Sequence, residues 1–354
     1  MRHRIAIPLL LPAIALGVGG VSSPATAQHV DDLVQIREWE VPWEDSRPRD
    51  PYVAPDGRVW FVGQRSDYAG VLDPTTGHFE KIDMAEGAGP HNLVVDGEGI
   101  VWYAGNRAAH IGRIDPDTEE IELFPMPDPA ARDPHTLEFD GAGGIFFSVQ
   151  GGNFVGHFEP TSGEVRLAHA PEVAGRGGQP GSSRPYGIKV DSRGHPWIAL
   201  FNTNMIATVD PGSMEMTTFE IPRPEARPRR LVVDSEDRIW YGDYAAGKLG
   251  RLDPETGEFT EWDNPSGDAS RPYGMAIDAD DRIWFVETGV QPNRFVGFDA
   301  RTEEFISATD VPSGGGTVRH MYYDRDENVI WFGADTNTIG RAILPPLRRV
   351  VMQE

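Results

Sequence analysis

Apolar and polar positions in this chain alternate over short runs, and no segment sustains a 3.6-residue apolar period. Each run is bounded by Asp, Gly or Pro, so the pattern predicts short strands joined by tight turns. The pattern also repeats. A turn leading into a Trp-bearing strand recurs as PDGRVW at 55–60, DGEGIVW at 96–102, DSRGHPW at 191–197, DSEDRIW at 234–240, DADDRIW at 278–284 and DRDENVIW at 324–331. A seventh copy, DGAGGIF at 140–146, carries Phe in place of Trp. A second signature follows, clearest as GVLDPTTG at 70–77 and GRLDPETG at 250–257, and then an alternating strand such as TTFEIP at 217–222. Units of about 40–45 residues with four strands and a recurrent Trp are propeller blades. The expected fold is all-β, a seven-bladed β-propeller with each Trp packed between adjacent sheets.

The last unit stops at Pro345-Pro346 without an outer strand, whereas QIREWEVP at 35–42 reads as an outer strand without a blade. The N-terminal strand is therefore expected to join the last blade and close the ring, which removes two sheet edges. One domain is expected over 28–354. Its blades fall near 51–83, 91–127, 135–171, 184–222, 229–262, 271–308 and 318–344. A Gly/Ser-rich insertion at 175–183 precedes blade four, and the tail from 348 is expected to fray.

Residues 1–27 have a basic start, an apolar run broken by Pro8 and Pro12, and Ala25-Thr26-Ala27 before Gln28. This is the layout of a cleavable signal peptide, and it predicts a periplasmic or secreted protein with no membrane span. There is no Cys, so disulfides, thiol catalysis and Cys-based metal sites are excluded. The net charge of −23 argues against nucleic-acid partners. A monomer acting on a small-molecule ligand is the expected state.

In a propeller the innermost strands line a central channel. Five residues before each turn Asp stand His91, His135, Tyr186, Arg229, Tyr273 and Arg319; blade one is read as shorter, with Tyr52 in the same place. Aromatic and cationic groups around one mouth suit an anionic or carbonyl-rich ligand. Just beyond the Trp positions come Gln64, Asn106, Gln150, Asp243, Tyr244, Glu287 and Asp335. Glu287 and Asp335 lie in neighbouring blades and are candidate ligands for Mg²⁺ or Ca²⁺. The turn Asp residues lack the Gly and distal Glu of a calcium loop and are expected to cap their hairpins. No motif for an organic cofactor occurs.

The repeated Arg-Pro-Tyr-Gly, the Ile-Trp-Phe-x-Glu run at 283–287 and Gly-Arg-Leu-Asp at 250–253 resemble the streptogramin lyase group, the virginiamycin B lyase family. The resemblance spans all seven blades. It implies a seven-bladed fold and a lyase that opens a cyclic depsipeptide by metal-assisted elimination. Such a reaction needs a base for the proton α to a carbonyl and Mg²⁺ for the developing charge. On this resemblance Tyr52 matches a first-blade tyrosine of the site and Asp335 a last-blade carboxylate. The family's histidines of the last two blades fall at Tyr273 and Arg319, and a neighbouring glutamate falls at Thr317. His320 is one residue off register and would face away from the channel in a regular strand. His135 or His91 would then supply the base, with Arg229 and Arg319 as clamps and Tyr186 and Tyr273 as further contacts. The alternatives are a non-catalytic binding propeller for a ligand or protein, and a lactonase-like hydrolase.

Overall fold

The computed structural model describes residues 34–174 and 181–348. The proposed signal peptide, most of the 175–183 insertion and the tail beyond 348 lie outside them. The alternating runs form seven four-stranded antiparallel sheets. Their inner strands are Pro48–Val53, Pro90–Val95, Pro134–Phe139, Pro185–Val190, Pro228–Val233, Pro272–Ile277 and Val318–Asp324. Each inner strand packs on the next, and the seventh packs on the first, so the sheets close into a seven-bladed propeller. Among the described residues no helix is long and apolar enough to cross a membrane.

Closure occurs as the sequence predicts. Gln35–Glu40 pairs antiparallel with Thr338–Ile343 as the outer strand of blade seven. Trp39 stacks on Trp331 at 5.5 Å, and the Asn337 amide donates to the carbonyls of Val41 and Trp43. Arg348, the last described residue, is held: it donates through its backbone to Asp280 and through Nη1 to Asp299.

The Asp-to-Trp spacing has a direct cause. In blades two, four, five and six the turn Asp accepts backbone N–H groups with one oxygen and the Trp indole N–H with the other. The indole distances are 3.0, 3.1, 2.8 and 2.8 Å for Asp96–Trp102, Asp191–Trp197, Asp234–Trp240 and Asp278–Trp284. Each of these carboxylates thus ties its hairpin to a buried ring. Blade three lacks the indole, and His157 replaces it: its Nε2 lies 2.8 Å from Asp140, and its ring packs on Phe146 at 4.5 Å. The Trp rings lie between neighbouring sheets, as Trp197 does against Leu231 and Tyr241 of blade five.

Candidate functional site

The incoming end of each inner strand pairs with the outgoing end of the Trp strand, as Pro90 does with Gly105, so both sets of loops share one mouth. The second residue of each inner strand faces the channel there. Six of these are the expected ones: His91, His135, Tyr186, Arg229, Tyr273 and Arg319. The seventh is Arg49 and not Tyr52. Pro48 pairs with Gly63 as Pro90 does with Gly105, while Tyr52 pairs with Trp60 as Val94 does with Trp102. The turn position of blade one is Ala54, whose N–H bonds to Arg58 O as Asp96 N–H bonds to Ile100 O. Counting from Asp56 misplaces the blade. Tyr52 therefore belongs to the turn end of the channel, where its ring lies 4.1 Å from that of Tyr322.

The mouth ring is tightly connected. Arg49 Nη1 lies 2.9 Å from His91 Nε2, and His91 Nδ1 lies 3.1 Å from the His135 carbonyl. Arg49 thus donates to Nε2, and His91 is neutral with its proton on Nδ1. The His91 and His135 rings are 3.7 Å apart, and His135 meets Tyr186 at 4.3 Å. The Tyr186 and Tyr273 hydroxyls are hydrogen-bonded to each other. Arg229 lies 3.5 Å from the Tyr273 ring centroid and donates from Nη2 to the Tyr186 hydroxyl at 3.3 Å. Burial first, and then the neighbouring guanidiniums, push both His91 and His135 well below the ordinary imidazole range. Burial raises Tyr186, but the charges of Arg229, Arg230 and Arg49 overcome it and bring the phenol down to about 7.

A second ring was missed by sequence reasoning. It is the next residue of each strand: Asp50, Asn92, Thr136, Gly187, Arg230, Gly274 and His320. Alternation would turn these away, but every inner strand has a register shift at this point, such as Val318 to Met321 in blade seven. Two successive residues therefore serve the channel, and His320 is in it after all. Arg230 crosses the channel, donating from Nη1 to Thr136 Oγ1 at 3.1 Å and from Nε to the Arg319 carbonyl at 3.3 Å. Gly187 permits this, since a Cβ there would come within 2.8 Å of the Arg230 Cα. Asp50 accepts from Asn92 at 2.9 Å and from Arg49 Nε at 3.4 Å. Burial drives the His320 imidazole down to about 3 although Asp50 is close.

The expected cation ligands are otherwise engaged. Glu287 is wholly buried and accepts the Ser266 N–H at 2.9 Å and its hydroxyl at 2.5 Å. Asp335 is bound through both oxygens by Arg319, at 3.2 and 2.5 Å, and its Oδ1 lies 3.6 Å from Arg47 Nε. Among the described residues no group of three carboxylates or imidazoles is placed to hold a metal ion. A guanidinium already stands where Asp335 would meet a cation, so this arrangement does not fit Mg²⁺ or Ca²⁺.

Fold and mouth together define a seven-bladed propeller with a ring of Arg, His and Tyr at one end of its channel. The sequence model of the virginiamycin B lyase family matches residues 27–175 and 178–345, and the chain belongs to that family. It is similar to the crystal structure of virginiamycin B lyase from Staphylococcus aureus, with a TM-score of 0.77 and 23% identity over 88% of this chain and 100% of that one. The same values hold for a catalytically inactive histidine-to-alanine form of that lyase, from the same organism, crystallised with quinupristin. A more distant likeness is the extracellular domain of what is described as a hybrid two component system from B. thetaiotaomicron. Its TM-score is 0.65 and its identity 17%, over 87% of this chain and 42% of that one. Among curated proteins none matches the chain.

Proposed function

We propose that this chain is an exported propeller that binds a small ligand bearing a carboxylate or an enolisable carbonyl at the channel mouth. The observation that carries the reading is Arg229. It is held on the Tyr273 ring and beside Tyr186, and its buried Nε has no hydrogen-bond partner among the described residues. A planar guanidinium with a free N–H, sandwiched by aromatic rings, is suited to a carboxylate or carbonyl oxygen. Export rests on residues 1–27 and agrees with the extracellular domain among the similar structures. The test is calorimetry of the chain without residues 1–27 against carboxylates and cyclic esters, with Arg229→Met alongside. Binding should weaken at least tenfold in the variant; unchanged affinity would sink the reading.

A second reading is turnover, and Tyr186 favours it. A phenol near 7 beside Arg229 is a better proton acceptor at neutral pH than either buried imidazole. In such an elimination the proton α to the carbonyl passes to the Tyr186 oxygen. The C–H pair forms the new double bond, and the C–O bond breaks to release a carboxylate facing Arg229. The related lyase crystallised with quinupristin makes a cyclic depsipeptide the first substrate to try. Ring opening abolished by Tyr186→Phe and kept by His91→Gln would establish this route. The lactonase-like alternative needs several carboxylates on one cation, an arrangement that Glu287 and Asp335 do not form here.

A further inference from the structure

Below the mouth, the channel holds cations with unused donors. Arg49 and Arg230 are each 4% exposed, and the Nη2 atom of each is buried without a hydrogen-bond partner among the described residues. Both guanidiniums reach one carboxylate: Arg49 Nε is 3.4 Å from Asp50 Oδ1, and Arg230 Nη2 is 4.0 Å from Oδ2, too far for a hydrogen bond. The free N–H groups thus belong to one cluster. His320 Nδ1, also buried and unpartnered, is in the same ring. Two guanidiniums face one carboxylate, and the imidazoles of His91, His135 and His320 are neutral. One positive charge is left over in an enclosed space, where an uncompensated charge is costly.

We propose that the channel holds a resident monovalent inorganic anion of halide size, bound by the Nη2 groups of Arg49 and Arg230 beside Asp50. It neutralises the surplus charge and takes the unused donors, as charge-assisted hydrogen bonds to an anion do. Its length scale is that of a single ion, because Thr136, Asn92 and the Arg319 carbonyl already occupy the remaining donors and acceptors around it. The site shares no contact residue with the ligand proposed for the mouth, although the charges of Arg49 and Arg230 also act on Tyr186. That ligand contacts Arg229 and Tyr186, and either site can fail without the other.

The decisive measurement is a crystal of the wild-type chain grown in sodium bromide, with anomalous data at the bromine edge. One strong peak within hydrogen-bond reach of Arg49 and Arg230 Nη2 is expected. In solution, exchanging gluconate for chloride or bromide at constant ionic strength should raise Tm with a saturating dose response. Asp50→Asn removes the competing carboxylate and should tighten halide binding about tenfold or more, whereas Arg230→Gln should abolish the response. Water without anomalous signal at the site, together with equal Tm in gluconate and chloride, overturns the proposal. So does a peak replaced by a carboxylate co-solute. Variants that fail to fold leave the wild-type bromide crystal to decide.

Discussion

The two ends of this channel are built from the same seven strands but obey different rules. At the turn end, carboxylates repeat with the blades, and each is consumed by its own hairpin, as Asp234 is by Arg238 N–H and the Trp240 indole. The channel there is lined by Tyr52, Tyr322 and a Lys189–Glu138 pair at 2.8 Å, beside a cavity of about 280 Å³. At the mouth, Arg, His and Tyr replace one another from blade to blade, and donors are left unused at Arg49, Arg229 and Arg230. Repetition marks what the fold needs. Variation at a repeated position, with polar groups unsatisfied, marks where a ligand is expected.

The largest effect that would break this comparison is acid. His91, His135 and His320 are neutral in the folded chain, with protonation disfavoured by burial in all three, reinforced by nearby arginines at His91 and His135 and opposed by Asp50 at His320. Unfolded, they take up protons below about pH 6.5, so their stability is full above that pH and declines as pH falls towards the folded values. Each contributes about 1.4 kcal/mol per pH unit, so the three together give a slope of about 4 kcal/mol per unit below pH 6.5. Denaturant melts at pH 7.5, 6.5 and 5.5 should show it. Stability that stays flat down to pH 5 would mean that the mouth is open to water. Asp50 acts in a lower range: burial raises its carboxyl, but Arg49, Arg230 and the Asn92 hydrogen bond outweigh it and hold the group below the usual value. Its contribution is present above about pH 4 and lost only as pH falls further.

Asp50→Leu tests the cluster without changing pH. Removing the carboxylate leaves two buried guanidiniums without it, a loss on the order of 3–5 kcal/mol by urea melts. A loss under about 1 kcal/mol would show that other anions or water already carry that charge. At the turn end, Trp240→Phe removes the indole donor to Asp234 together with part of a fully buried ring, and should cost at least about 1–3 kcal/mol. Blade three provides the control. There His157 already serves Asp140, so Phe146→Trp should bring no gain of that size.

Much of this was legible in the chain. The Asp-to-Trp turns, the count of seven and the closing strand follow from period and polarity, because hairpin capping and blade packing are local. Six of seven mouth residues were legible for the same reason. The seventh was hidden because blade one has Ala54 at the turn, and because Pro51-Tyr52 imitates the Pro-x pair that Pro48-Arg49 supplies. A constant six-residue step back from Trp60 finds the turn position at Ala54, and the same five-residue step back from there finds Arg49. The second ring could not be read by alternation, since the register shift that turns Asp50, Arg230 and His320 inward leaves no residue signature. The pairing of Arg319 with Asp335 lies within blade seven, where Val318 pairs with Ala334, and it follows from the strand register.

That last pair gives the smallest expected effect and the sharpest test of the cation reading. Arg319 and Asp335 have side chains 20% and 24% exposed, and solvent screens them, so Asp335→Asn should change stability by less than about 1 kcal/mol. If Asp335 and Glu287 served a divalent ion instead, Mg²⁺ or Ca²⁺ would raise Tm in the wild type, and EDTA and the Asn variant would each erase the rise. The geometry predicts no such rise, because Arg319 binds both Asp335 oxygens and Ser266 holds Glu287. A saturable Mg²⁺ shift that disappears in Asp335→Asn would mean that Arg319 swings away to admit the ion. It would return the mouth to metal-assisted chemistry, with Arg319 released to meet the substrate.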